Sequence, residues 1–445
     1  MRLNRSDFGE NFHWGVSTAA FQIEGAHDAD GKGSSIWDEF TTSNKNIKDA
    51  HFSRTACDFY SNPNRDIDLI NQMNIPNYRF SLSWPRIYPS GTRPVNPKGI
   101  AFYDRLIDSL LEKNIDPWVT LYHWDLPLEL EMKGGWTNRD IVNWFSDYAA
   151  ICARHFGDRV KNWMVMNEPS VFTGGGYFLG IHAPGKRGLT NFLKAMHHAT
   201  LATASAGTVF RKELPGANIG TTFSCTHIEP NSQIRRDILA AERVDTLLNR
   251  AFIEPLLGLG YPTDDLPILN KINAFAHPDD AKNMAFDFDF IGLQCYTREI
   301  VKHSLFTPYM KAKLIPAAKR NVSFTEMGWE VFPDSMYRLL KKFSSYENIP
   351  RIIVTENGAA FQDVIVNGKI YDFDRERYIK DHIEQLHRAK TEGVDVNGYF
   401  VWTLTDNFEW AEGCRPKFGL VHVDFETQRR IVKNSGHWYA DFLSR

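Results

Sequence analysis

Trp163-Met164-Val165-Met166-Asn167-Glu168-Pro169 is a short apolar, β-leaning run that stops at an amide, a carboxylate and a proline. The same order returns in Ile352-Ile353-Val354-Thr355-Glu356-Asn357-Gly358, closed this time by a glycine. A lone Glu at a strand end adds little to a fold, and one such Glu reads as a solvated charge. Two of them, each beside an Asn and a turn, point to chemistry. Paired carboxylates are what acetal hydrolysis needs, one to protonate the leaving oxygen and one to attack or to activate water.

Six further runs of the same kind flank these two, at residues 12–18, 77–83, 117–122, 218–224, 288–294 and 398–402. Amphipathic stretches separate them. In residues 97–115, Ile100, Tyr103, Ile107, Leu110 and Leu111 share one face at helical spacing, and Asn96 before Pro97 is a good helix start. Residues 138–156 repeat the pattern with Ile141, Phe145, Tyr148 and Cys152. Residues 374–390 do so with Tyr378, Ile379, Leu386 and Ala389, and Gly393 follows as a stop. Eight strands alternating with helices predict an α/β fold, a single (β/α)8 barrel over residues 1–445 with loop insertions at the C-terminal face. A doubly wound sheet would normally carry a Gly-rich strand-to-helix turn. Gly174-Gly175-Gly176 lacks GxGxxG spacing and reads as a flexible loop.

The 445 residues are ample for a large core, and the formal net charge is −3 with both signs interspersed. Nothing in that balance draws the protein to nucleic acid or to an anionic membrane surface. No apolar run approaches bilayer-spanning length, and residues 1–7 contain no apolar stretch to serve as a signal peptide, so a cytoplasmic location is expected. Cys57, Cys152, Cys225, Cys295 and Cys414 are scattered without CxxC spacing, which reads as reduced thiols and neither a disulfide frame nor a zinc site. His197-His198 lacks a partner at helical spacing and reads as structural. No metal or cofactor is expected, and no coiled-coil seam sets an oligomeric state. Twelve Trp is many, and because each carries an N–H that needs a partner, some should line a cleft.

In a barrel of this kind the active site gathers at the C-terminal strand ends. Gln22 and Glu24 follow the first strand and Arg79 lies in the second. The third ends in His123-Trp124-Asp125-Leu126-Pro127 and the fourth in Asn167-Glu168-Pro169. The sixth ends near Gln294 and Tyr296, the seventh in Glu356-Asn357-Gly358. Asp406-Asn407-Phe408-Glu409-Trp410 follows the eighth, which runs to Trp402.

With these ends in this order, the chain resembles a family 1 glycoside hydrolase, a β-glucosidase. The motifs that carry the resemblance are Phe21-Gln22-Ile23-Glu24-Gly25, Tyr78-Arg79-Phe80-Ser81, His123-Trp124-Asp125-Leu126-Pro127, Asn167-Glu168-Pro169, Thr355-Glu356-Asn357-Gly358 and Asp406-Asn407-Phe408-Glu409-Trp410, spread over nearly the whole chain. The resemblance implies a retaining mechanism on a small-molecule β-glycoside, with Glu356 as nucleophile and Glu168 as acid/base. Glu168 must be protonated, so an apolar strand end and the charge of Glu356 should raise its pKa. Glu356 must stay ionised, and Arg79 with the Tyr296 hydroxyl are placed to hold it so. Gln22, His123, Asn167, Glu409 and Trp410 match positions that hydrogen-bond sugar hydroxyls, Asn167 being the expected partner of the 2-hydroxyl, and Trp124 joins this set. Trp402 matches the ring platform and Trp329 the tryptophan beside the aglycone, with His182 and Phe418 at the rim.

Three positions depart from the family pattern. Gln294 and Cys295 stand where an Asn and an aromatic are usual, which bears on the hydrogen bonds around Glu356. Cys414 stands where many members have Tyr, a change expected either to widen the mouth of the site or to alter aglycone preference. Two alternative readings differ at other residues. A 6-phospho-β-glucosidase would replace the glutamate at 409 by a small residue, and a non-catalytic sugar-binding barrel would lose at least one of the two carboxylates. Both carboxylates and Glu409 are present.

Overall fold

The computed structural model describes residues 3–43, 45–48 and 54–445; Met1 and Arg2, at the start of the polar amino terminus, lie outside them. All eight expected strands form, each within a few residues of its expected bounds. They are β1 (His13–Ser17), β2 (Asn77–Ser81), β3 (Asp116–Tyr122), β4 (Asn162–Asn167), β5 (Asn218–Ser224), β6 (Phe290–Gln294), β7 (Arg351–Asn357) and β8 (Val396–Trp402). Each pairs in parallel with its neighbours in chain order, and β8 returns to β1 to close the barrel.

The flanking helices form for the reasons their sequences state. Pro97–Glu112 starts on Asn96, whose side chain accepts from the Lys98 amide at 3.2 Å, and buries Ile100, Tyr103, Ile107 and Leu110. Ile141–Phe156 buries Ile141, Phe145, Tyr148 and Cys152, and Phe373–Thr391 buries Tyr378, Ile379, Leu386 and Ala389. No helix of the described residues is long and apolar enough to cross a membrane. All five cysteines are buried thiols.

Inside the barrel, Trp118, Met164, Phe290, Ile353 and Phe400 form an apolar plug, one residue from each of five strands. Gly15 and Gly220 make room for it, since a Cβ at either would lie within 2.4 Å of the Phe400 or Phe290 ring. Further along the strands the interior turns polar, and the register slips. Between Met164 and Asn167 of β4, and between Val354 and Glu356 of β7, the ladder shifts by an irregularity. Such bulges re-aim side chains, and here they do so where the two carboxylate motifs end.

The loop insertions at this face include a three-stranded sheet, His227–Pro230, Arg298–His303 and Ala312–Leu314, that extends the chain beyond β5 and β6. Val301 and Ala312 of this sheet pack on Ala240, Ala241 and Val244 of the helix Arg235–Asp245. One expectation is corrected. Gly174-Gly175-Gly176 is no flexible loop; it continues the helix Pro169–Thr173 as a wide π turn, Gly174–Phe178. The glycines serve close packing, because a Cβ on Gly176 would come within 2.3 Å of the Ala183 carbonyl and one on Gly175 within 2.9 Å of His182.

Candidate active site

A cavity of about 260 Å³ opens at the C-terminal strand ends. Of the residues singled out from sequence, His123, Trp124, Glu168, His182, Tyr296, Trp329, Glu356, Trp402, Glu409, Trp410 and Phe418 line it. Gln22, Arg79 and Asn167 sit fully buried immediately behind that lining, each hydrogen-bonded to a residue of it or next to it. The whole set is therefore brought together.

Glu356 is gripped from both sides. Its Oε1 accepts from Arg79 Nη1 and, at 2.8 Å, from Gln294 Nε2; its Oε2 accepts from the Tyr296 hydroxyl at 2.5 Å. Burial raises the carboxyl above its ordinary value, and the Arg79 charge with the hydrogen bonds of Tyr296 and Arg79 holds that rise back. Glu168 has no such company. Burial and then the charge of Glu356 push it well above the usual carboxylate range, against weaker pulls from Ser224 and Arg79. Its backbone is left-handed, φ 46°, at the head of the helix Pro169–Thr173, and its amide donates to the Thr222 carbonyl at 3.0 Å. Trp124 (φ 78°) and Trp410 (φ 50°) share that rare conformation. Left-handed non-glycine residues gather where a scaffold forces a side chain to a required place.

Asn167 is the hub behind the cavity. Its Oδ1 accepts from Arg79 Nη2 at 2.5 Å, Gln294 Nε2 at 2.8 Å and Thr222 Oγ1 at 2.9 Å. Those donors fix the amide orientation, so Nδ2 donates to His123 Nε2 at 3.0 Å. The His123 ring proton is thereby assigned to Nδ1, which has no hydrogen-bond partner among the described residues. Burial, and next the charge of Arg79, push His123 well below its ordinary pKa and keep it neutral.

Gln22 Nε2 donates to the Phe408 carbonyl at 2.8 Å, to Asn407 Oδ1 at 3.1 Å and to Glu409 Oε2 at 3.3 Å. Burial and the Glu356 charge push Glu409 up to about 8, against hydrogen bonds from Gln22 and Trp402. His123 lies 6.0 Å from both the Trp402 and Trp410 rings in stacked orientation, and Trp124 lies 4.6 Å from Trp410. At the mouth, Trp329 lies 5.2 Å from Tyr296 and 6.1 Å from Phe418.

The loop that carries Glu409 is anchored by a buried charge cluster. Lys433 Nζ lies 2.7 Å from Asp406 Oδ1 and 2.5 Å from Asp363 Oδ2, and His422 Nδ1 lies 3.2 Å from Asp406. Asp363, Asp406 and His422 have the donor set of a cation site, but the Lys433 ammonium already occupies the position of the cation.

The expectation for Cys414 is corrected: it packs with Ile47 and Phe408 in a small apolar cluster and is not among the residues that line the cavity. Gln294 joins the site where the departure from Asn had put the geometry in question, because its longer side chain reaches both Asn167 and Glu356. Val171, Ser224, Thr226, Glu299 and Met327 also line the cavity and had no motif to announce them.

A family model described as Glycosyl hydrolase family 1 matches residues 4–445. "Beta-glucosidase A" of Thermotoga maritima is 44% identical over 99% of this chain and 98% of that protein. "Beta-glucosidase A" of Acetivibrio thermocellus is 42% identical over 99% of both chains. The solved structure of a family 1 β-glucosidase from Thermotoga maritima superposes with a TM-score of 0.95 at 43% identity, covering 98% of each chain. A complex of a Thermotoga maritima β-glucosidase with deoxynojirimycin gives a TM-score of 0.93 at 44% identity, again over 98% of each chain. Motifs, barrel and relatives agree from end to end, and the chain belongs to glycosyl hydrolase family 1.

Proposed function

We propose that the protein is a retaining β-glucosidase in which Glu356 is the nucleophile, Glu168 the acid/base, and residues 1–445 act as one catalytic domain. The observation that carries this reading is the contrast between the two carboxylates in one cavity. Arg79, Gln294 and Tyr296 converge on Glu356 and favour its charged form, whereas burial and the Glu356 charge favour protonated Glu168. Glu168 gives its proton to the glycosidic oxygen as a Glu356 oxygen attacks the anomeric carbon. The C–O bond breaks, the leaving alcohol departs, and an α-glycosyl ester forms on Glu356. That ester no longer carries the charge that raised Glu168, so the Glu168 carboxylate can take a proton from water. The water oxygen attacks the anomeric carbon, the ester breaks, and β-glucose leaves. Two inversions give retention.

Asn167, held by Arg79 and Gln294, is assigned to the 2-hydroxyl, and His123 Nδ1, Gln22, Trp124, Glu409 and Trp410 to the other hydroxyls. Trp402 is the platform under the ring, and Trp329 and Phe418 flank the leaving group. An unphosphorylated sugar suits the pocket, because among the described residues no Lys or Arg lines it.

The test is hydrolysis of 4-nitrophenyl β-glucoside, β-galactoside, β-fucoside and β-glucoside 6-phosphate, with the first-formed anomer read by NMR. Preference for the unphosphorylated β-glucoside with the β-anomer released first is the expected result. Release of the α-anomer first would reverse the assignment of Glu356 as nucleophile.

A further inference from the structure

Away from the two carboxylates, the cavity lining is of two kinds. One is aromatic, with Trp329 beside Tyr296. The other is polar and comes from the start of the sheet that extends beyond β5 and β6, where Thr226 and Thr297, each just before a strand, and Glu299 line the space. Side chains alternate along a strand, so Thr297 and Glu299 share the side that Arg298 turns away from. Arg298 and Arg320 both go to Glu330, at 2.8 Å and 2.5 Å. Thr297 Oγ1 also donates to the Glu330 carbonyl at 3.0 Å. Glu330 thus takes both nearby guanidinium groups, and no described residue makes a hydrogen bond or ion pair to the Glu299 carboxylate. Burial pushes that carboxyl up to about 6 despite the charge of Arg320. A half-buried carboxylate without a partner is costly unless something bound there supplies donors.

We propose that Glu299 accepts hydrogen bonds from the hydroxyls of a second sugar ring, so that the leaving group this site suits is a glycosyl unit and not a planar aryl group. The inference rests on the assignment of Glu168 and Glu356 given above. A pyranose presents C–H faces and a rim of hydroxyls. The cavity lining offers an indole for the face and Glu299 with two threonines for the rim. An aryl group would use Trp329 but would strip water from Glu299 and return no hydrogen bond.

The experiment compares kcat/KM for cellobiose and for 4-nitrophenyl β-glucoside in the wild type, Glu299→Ala and Glu299→Gln. Losing hydrogen bonds to a charged acceptor should lower the cellobiose-to-aryl ratio about ten-fold in Glu299→Ala, and less in Glu299→Gln, which keeps an amide oxygen. A second readout is reactivation of the enzyme trapped as its 2-deoxy-2-fluoroglucosyl ester by added cellobiose as acceptor. Its half-maximal concentration should rise by about the same factor. A merely structural role would lower both substrates in parallel, and that result, or a ratio within about two-fold of wild type in both variants, would overturn the proposal. So would a wild type that cleaves the aryl glucoside but not cellobiose. In each of those cases the catalytic reading stands. Failure of the wild type on both substrates removes the catalytic reading and this inference with it.

Discussion

Gln294 Nε2 donates to Glu356 Oε1 at 2.8 Å, and the same nitrogen lies 2.8 Å from Asn167 Oδ1. One amide therefore ties the end of β4 to the end of β7 through β6, and the two ends it ties carry the site. Gln294→Ala should lower kcat/KM for 4-nitrophenyl β-glucoside roughly ten- to one-hundred-fold, the worth of one or two hydrogen bonds to a charged group. Gln294→Asn should fall between, because the shorter side chain keeps an amide but retracts it from Glu356. Steady-state kinetics beside a thermal melt checks this. A melt that drops as steeply as the rate would assign Gln294 to stability alone.

Glu168→Ala removes the proton donor but leaves Glu356 in place. Alkyl glucosides and cellobiose, which leave as poor alcohols, should slow by roughly 10²–10⁴-fold, and activated aryl glucosides far less. Azide should then speed turnover of the activated substrates and give a β-glycosyl azide, identified by NMR. Equal slowing across leaving groups with no azide product would remove Glu168 from the role of acid. Glu356→Gln should abolish turnover of every substrate with the circular dichroism of the wild type.

The pH profile of kcat/KM should be a bell. Glu356 must be charged, so the acid limb falls as pH drops through its folded pKa. Glu168 must be protonated, so the alkaline limb falls as pH rises through its own, which lies well above the usual range. Because the groups interact, the limbs report the pair. After burial, the charge of Glu356 does most to raise Glu168. In Glu356→Gln the Glu168 carboxyl should therefore titrate lower, measurable by carbon-13 NMR. An unchanged value would mean that burial alone sets it.

Lys433 is fully buried between Asp363 and Asp406. Lys433→Met leaves two buried carboxylates facing one another, which should cost about 3–5 kcal/mol. Burial alone would raise both acids; for Asp406 the Lys433 charge, and for Asp363 the His422 hydrogen bond, lead the groups that outweigh it and hold each below the usual carboxylate range. Their contribution is thus present above the unfolded carboxylate pKa and lost as pH falls through the folded one. Urea melts at neutral pH and near pH 3 should show the wild-type advantage over Lys433→Met shrinking in acid. An advantage that grew in acid would contradict this assignment of charge.

The barrel was legible because each strand is an apolar run that ends in a polar motif, and because 100–110 and 141–152 keep a helical period. The catalytic motifs were legible for the same reason: a strand end with a carboxylate stands out against the apolar run before it. Gln294 was visible only as a departure, since the register shift that sets it beside Glu356 is encoded in no local pattern. Glu299 gave no signal, because a charged residue on a short alternating strand looks like any solvated face until Arg298 and Arg320 are seen to go elsewhere. The glycine triplet was misread because glycine permits flexibility and close approach alike, and only the neighbouring His182 and Ala183 decide between them.

The left-handed backbone at Glu168 has a consequence for anyone selecting variants of this protein. A non-glycine residue in that conformation holds about 1–2 kcal/mol of unfavourable free energy, which glycine would release. A screen for heat resistance alone would therefore be drawn toward Glu168→Gly, gaining degrees of melting temperature while silencing the enzyme. Durability and turnover pull this one position in opposite directions, so a thermostability library must carry an activity gate.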